Sequence, residues 1–193
     1  MVETLKYWDR ALFFKINGMH SSILDTIMWI ISNDFFLYPF IILFLLWIFK
    51  KMDGKRVATL ILGIGLCVAC ADLSTNVIKH TVQRYRPSHN LEIKEQVHTI
   101  NNYKGGKFGF FSSHAANSFA ITTLCFLTSA TLLSRRKRLL FYIAPILIGY
   151  SRIYLGVHYP SDIVFGAFSG IFFGWLIYKI LSNYFFKEQT QAS

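Results

Sequence analysis

Apolar residues along this chain come in long unbroken runs rather than in the alternating or one-sided patterns of a soluble fold. Four runs cover residues 35–49, 57–78, 115–133 and 139–155, and a fifth, 163–186, begins directly after Pro160-Ser161-Asp162. At about 1.5 Å of rise per residue, runs of this kind are the lengths that cross a bilayer as helices. The segment 22–32 is shorter and carries Asp25, so it reads as an interfacial helix, with a sixth short span as the alternative. The pattern therefore predicts an all-α protein, a polytopic transmembrane helical bundle of five or six spans. Residues 1–34 form an N-terminal amphipathic segment, 35–186 a membrane-embedded body and 187–193 a tail.

Composition sharpens the picture. Hydrophobic residues make up 53% of the chain and charged residues only 16%, against roughly 25% charged in a soluble domain. The 4 Trp, 10 Tyr and 19 Phe are more than so little polar surface could cover in water. The net charge of +10 is thus not the mark of a nucleic-acid partner, and a disordered chain would be less apolar. The bilayer is the expected partner. Lys50, Lys51, Lys55 and Arg56 flank one short connection, and Arg135, Arg136, Lys137 and Arg138 fill another. Positive loops face the cytoplasm, so 79–113 and 156–161 fall together on the opposite side. The basic N-terminal stretch also prefers the cytoplasm, which favours six spans over five. No cleavable signal peptide is expected, and Cys67, Cys70 and Cys125 read as buried helix thiols rather than a disulfide or redox set.

Three stretches carry chemistry. In the first, Asp72, Lys79 and Arg86 recur every seven residues and so share one helical face, with Asn76 near the same stripe, until Pro87 ends the run. An ionic stripe leaving a membrane is expensive unless it faces protein or water; lysine and arginine snorkelling to headgroups is the plainer reading. Asp72 and Asn76 either position Lys79 or bond between helices, the second being favoured. In the next, Ser112 suits an N-cap, and the helix N-terminus it opens is an anion site beside His114. In the last, Pro160 suits the first position of the final helix and puts Asp162 in its first turn. The Asp162 carboxylate can reach back to His158, fix its tautomer and leave the other nitrogen nucleophilic. Arg152 leads into the same turn with the fork geometry that suits phosphate. So many cations would repel a metal ion, so no metal site is expected. Gly166, Gly170 and Gly174 form a small-residue seam for close helix packing. His20, His80, His89 and His98 show no partner pattern and read as solvent or headgroup residues.

Lys79-x6-Arg86-Pro87, Ser112 with His114, and Ser151-Arg152-x5-His158-x3-Asp162 together resemble the motifs of the type 2 phosphatidic acid phosphatase superfamily, which is related to the vanadium haloperoxidases. The likeness runs over residues 57–184. It departs in the middle motif, where Phe111 stands for the family's proline and Ser113 for its glycine. A haloperoxidase is disfavoured, since those relatives are soluble. The segment FKINGMHSSILD also resembles small bacterial members.

The resemblance implies a two-step phosphatase without metal or cofactor. His158 attacks phosphorus to form a phosphohistidine, oriented by Asp162. His114 protonates the leaving oxygen and then helps activate water. Lys79, Arg86 and Arg152, with Ser112 and Ser113, hold the phosphoryl oxygens. The implied substrate is a phosphorylated membrane lipid, undecaprenyl diphosphate or a lipid A phosphate first. Phosphatidylglycerophosphate and phosphatidic acid are the alternatives, and a non-catalytic lipid-phosphate binding or transport protein is the reading of another class. The resemblance leaves the oligomeric state open.

Overall fold

The computed structural model describes residues 2–186; the expected tail at 187–193 lies outside them. The described residues form eight helices: α1 (Val2–Asn17), α2 (Ser22–Ile31), α3 (Tyr38–Phe49), α4 (Gly54–Val82), α5 (Ser113–Thr128), α6 (Arg135–Leu139), α7 (Ile143–Tyr154) and α8 (Pro160–Phe186). The bundle is built round α5, which lies against α4, α7 and α8. Its contact with α8 depends on the glycine seam. A Cβ at Gly166 would stand 2.7 Å from Ser112 O, one at Gly170 2.3 Å from Ala116 O, and one at Gly174 2.4 Å from Ala120 O. Real side chains cannot approach backbone so closely, so glycine at these three positions sets the helix spacing.

Buried apolar residues from four helices meet along the axis: Ile48, Leu60, Cys67, Leu124, Ile177 and Leu181. The outer faces are equally apolar, with Leu62, Leu73, Phe168 and Phe172 at least half exposed. A helix apolar all round belongs in hydrocarbon rather than water. Two helical stretches among the described residues, Gly54–Val82 and Pro160–Asn183, are long and apolar enough to cross a membrane. The pair Ser22–Ile31 and Phe35–Phe49, bent by 75°, makes a third if it acts as one broken span. The runs at 115–133 and 139–155 give helices of only 16 and 12 residues. Ser129 ends the first by turning its hydroxyl back onto Cys125 O at 2.7 Å, and a single 3-10 turn, Leu140–Tyr142, precedes the second.

Helix α4 corrects one expectation. Asp53 caps its start by accepting from Arg56 N at 3.0 Å, but the helix stops at Val82, well before Pro87. Gln83 adopts a left-handed conformation with φ of 51° and its side-chain amide donates to His80 O at 3.1 Å, the kind of cap that closes a helix C-terminus. The chain then runs extended: Arg86 N donates to Lys107 O at 3.1 Å and Gly109 N to Arg84 O at 2.9 Å. Asp72 and Lys79 keep their common helix. Arg86 does not belong to it, and reaches the same place from a short extended segment.

Candidate active site

The polar ends of α4, α5 and α8 meet at one end of the bundle. Ser112 is fully buried and caps α5 as its sequence predicts, accepting from Ala115 N at 3.4 Å. Its own backbone N–H donates to Asp162 O at 3.1 Å, which ties the start of α5 to the first turn of α8. Ser113 opens the helix and accepts from Lys79 Nζ at 2.6 Å, then donates to Thr75 at 3.1 Å. His114 follows in the same turn and lines a cavity of about 190 Å³ with Arg152, Tyr103, Ser32 and Trp29. Asp72 accepts from Asn117 Nδ2 at 2.9 Å, the helix-to-helix bond favoured for it.

His158 and Asp162 are wholly enclosed, at 1% and 0% exposure. The His158 Nδ1 lies 3.3 Å from Asp162 Oδ2, and the same oxygen accepts from Tyr159 N at 3.0 Å. The carboxylate thus reaches back over its own helix start, and Nε2 of the imidazole is turned to other work. Arg86 is buried and threads into the loop, with Nε donating to Phe108 O at 3.2 Å and Nη1 to Val157 O at 3.4 Å. Gly105 and Gly109 leave room for it: a Cβ would lie 2.7 Å from Arg86 Nη1 at the first and 3.0 Å from Arg86 Cγ at the second. Arg152 is buried as well. Its Nη1 donates to Ser32 Oγ at 2.5 Å and Nη2 to the Tyr103 hydroxyl at 3.0 Å, while Nε is buried with no hydrogen-bond partner among the described residues.

The electrostatics follow from this crowding. Burial, then the facing Arg152, push the Arg86 guanidinium down to about 10, still charged at neutral pH. Burial, followed by Arg86, Arg152, Lys79 and His114, holds the His158 imidazole well below its ordinary 6.5. A neutral imidazole is the nucleophilic form. Two buried arginines and the half-buried Lys79, with two histidines and one carboxylate, make a positive pocket that a tetrahedral oxyanion would balance. Because the His158 pKa is lowered, the unprotonated ring persists as pH falls through 6.5. The acid limb of kcat/KM is therefore expected below pH 6.5, and Arg152→Gln, which removes one cation, is expected to move it upward; a pH–rate series on both proteins checks the sign.

The structure brings Lys79, Arg86, Ser112, Ser113, His114, Arg152, His158 and Asp162 to one end of the bundle, from elements far apart in the chain. It also adds residues the motifs did not announce. Ser32 and Tyr103 hold Arg152, while Arg84 and Asp9 stand behind Asp162. The only sequence signal for the last pair is that Arg84 is an extra cation beside Arg86 and Asp9 one of just ten acids. His98 and His20, read as solvent or headgroup residues without a partner, are a correction: His98 Nε2 lies 3.1 Å from Asp25 and its ring stacks on His20 at 4.1 Å. That pairing spans 73 residues of chain, beyond any local pattern. Among the described residues no group of three or more His, Cys, Asp or Glu side chains could hold a metal ion.

The pattern of the PAP2 superfamily matches residues 56–186. The chain is 34% identical over 178 residues to a lipid A 4'-phosphatase of Porphyromonas gingivalis, covering 89% of this chain and 72% of that protein. It is 36% identical over 186 residues to a lipid A 4'-phosphatase of Bacteroides thetaiotaomicron, covering 93% and 80%. Among solved structures, the crystal structure of Aquifex aeolicus LpxE superposes with a TM-score of 0.65 at 26% identity, covering 88% of this chain and 93% of that one.

Proposed function

Because the chain belongs to the PAP2 superfamily, whose lipid A phosphatases it resembles over most of its length, we propose that this membrane lipid phosphatase hydrolyses the 4'-phosphate ester of lipid A through a phosphohistidine. His158 Nε2 attacks phosphorus, the bond from phosphorus to the lipid oxygen breaks, and His114 gives that oxygen its proton. His114 then takes a proton from water, which attacks the phosphohistidine and releases inorganic phosphate and free His158. Lys79, Arg86 and Arg152 hold the equatorial oxygens with Ser113 and the α5 N-terminus capped by Ser112, and oppose the charge that builds in the transition state. No metal or cofactor takes part. The observation that carries the reading is the enclosed His158–Asp162 pair set among the buried Arg86 and Arg152 and the half-buried Lys79.

One further feature favours a lipid over a soluble ester. An apolar groove of about 540 Å³ runs between α3, α5 and α7, lined by Phe40, Phe44, Ile121 and Leu147, and starts at Phe36 and Leu37. The polar cavity that holds His114 and Arg152 ends at Asn33 and Phe35, so the two adjoin along one segment. The basic loops at 50–56 and 135–138 lie at the other ends of α4 and α5 from the site, which supports a site on the periplasmic face of an inner membrane.

The test is phosphate release by the purified chain in detergent, without added metal, across lipid A, undecaprenyl diphosphate, phosphatidylglycerophosphate and phosphatidic acid. Lipid A is expected to turn over fastest and to lose its 4'-phosphate, with the rate unchanged by chelator and inhibited by vanadate. A strict requirement for a divalent metal would contradict the mechanism. Binding of the lipids without release would make this a lipid-phosphate binding protein instead.

A further inference from the structure

Arg84 belongs to none of the three motifs, yet it touches the acid at the centre of the site. Its Nη1 donates to Asp162 Oδ1 at 2.8 Å and to Ser161 Oγ at 2.6 Å, and its Nη2 donates to Asp9 Oδ2 at 2.5 Å. Its guanidinium carbon sits 4.1 Å from the centre of the Tyr159 ring. Asp9 closes the unit from α1, accepting from Ser161 N at 2.8 Å and from Ser161 Oγ at 2.6 Å. Asp9 also lies outside the stretch that the superfamily pattern matches.

We propose that Arg84, braced by Asp9, is a positioning residue for the phosphatase reaction, fixing the Asp162 carboxylate so that Oδ2 faces His158. A carboxylate has two equivalent oxygens, and a bond to one of them determines where the other points. Arg84 takes Oδ1; Oδ2 is left to Tyr159 N and His158 Nδ1. A proton on Nδ1 then donates to Oδ2 and leaves the Nε2 lone pair for phosphorus. Charge points the same way. Asp162 is fully enclosed, and an enclosed carboxylate stays ionised only beside a compensating cation and hydrogen-bond donors. Lys79, Arg86 and Arg152 are needed for the phosphoryl oxygens, whereas both Nη atoms of Arg84 are turned to Asp9, Ser161 and Asp162. Arg84 therefore acts through Asp162 and not on the substrate.

The inference rests on the phosphohistidine reading, and two measurements separate them. The first is steady-state kinetics with lipid A. Arg84→Gln is expected to lower kcat about 10- to 100-fold, the scale of losing a partner that orients an imidazole, while KM stays within about twofold. Arg84→Lys should recover part of the loss, and Asp9→Asn should show a smaller one. Adding Arg84→Gln to Asp162→Asn should cost nothing further, because the two act in series. The second is the ¹⁵N spectrum of His158 in the unliganded protein, which does not depend on turnover: the Nδ1-protonated tautomer in the parent, and a mixture with the Nε2-protonated form in Arg84→Gln. An active parent with an Arg84→Gln kcat within twofold of it, or a rise in KM at constant kcat, would overturn the role of Arg84. So would an unchanged tautomer. A parent that makes no phosphoenzyme would sink the function reading alone, leaving the tautomer to judge this one. If Arg84→Gln does not fold, Asp9→Asn and Arg84→Lys carry the same comparisons.

Discussion

Replacing His158 with alanine is expected to abolish phosphate release, by about 10³-fold or more, and to remove a covalent phosphoenzyme from the reaction. The ring is the nucleophile the geometry offers, fully enclosed, with one nitrogen committed to Asp162 and burial and cations keeping it unprotonated. Loss of the imidazole does not strand a charge, since Asp162 keeps Arg84 on one oxygen and Tyr159 N on the other. The fold should therefore survive at a cost of about 2 kcal/mol for the space left behind, and vanadate should still bind. Rapid quench with labelled lipid is the measurement. The parent should hold label that is stable to base and lost in acid, as a phosphoramidate is, and His158→Ala should hold none. His114→Ala should still accept some label, because it removes a proton donor and not the attacking atom. Turnover by His158→Ala within tenfold of the parent would place the nucleophile elsewhere.

The parts of this site that could be read from sequence are those fixed over short distances. Ser112 caps α5, Pro160 opens α8 and Asp162 reaches back to His158 because each of these relations spans no more than four residues. The glycine seam was equally local, and the structure adds only what it faces, the carbonyls of Ser112, Ala116 and Ala120. Arg86 shows where periodicity stops being enough. Spacing by seven put it on the face of Lys79, but Gln83 turns left-handed and the pairing of 84–86 with 107–109 takes over. The residue arrives at the same pocket by another route, so its place was legible and the path was not. Ser32, Tyr103 and Asp9 were invisible for a different reason. Their bonds to Arg152 and Arg84 span 120, 49 and 75 residues, and no pattern within a helix or turn encodes such a meeting. The segment 1–34, read as an N-terminal amphipathic segment, thereby supplies two of the side chains that hold the site's charged groups in place.

Asp162→Asn is expected to lower kcat by about 10³-fold while leaving KM for lipid A within a few-fold of the parent. The substitution keeps the shape of the side chain, so the packing of α8 on α5 and the Ser112 N to Asp162 O bond are untouched. It changes two things at once. The amide is neutral, so it no longer stabilises the cation that His158 becomes as the phosphorus bond forms. It also carries donors where the carboxylate had only acceptors. Arg84 donates to Oδ1 and Tyr159 N to Oδ2; the amide oxygen stays with the charged Arg84, so the amide nitrogen takes the Oδ2 place beside His158 Nδ1 at the expense of the Tyr159 N bond. That nitrogen donates, the imidazole must accept, and the proton moves to Nε2, the atom that should attack. Substrate binding depends instead on Lys79, Arg86 and Arg152, which the change does not touch, and removal of a negative charge among them should if anything tighten an anion. The split between kcat and KM therefore separates an orienting acid from a binding one. A matching loss in both, or a vanadate affinity that falls with kcat, would show that Asp162 holds the pocket together and does not orient the nucleophile.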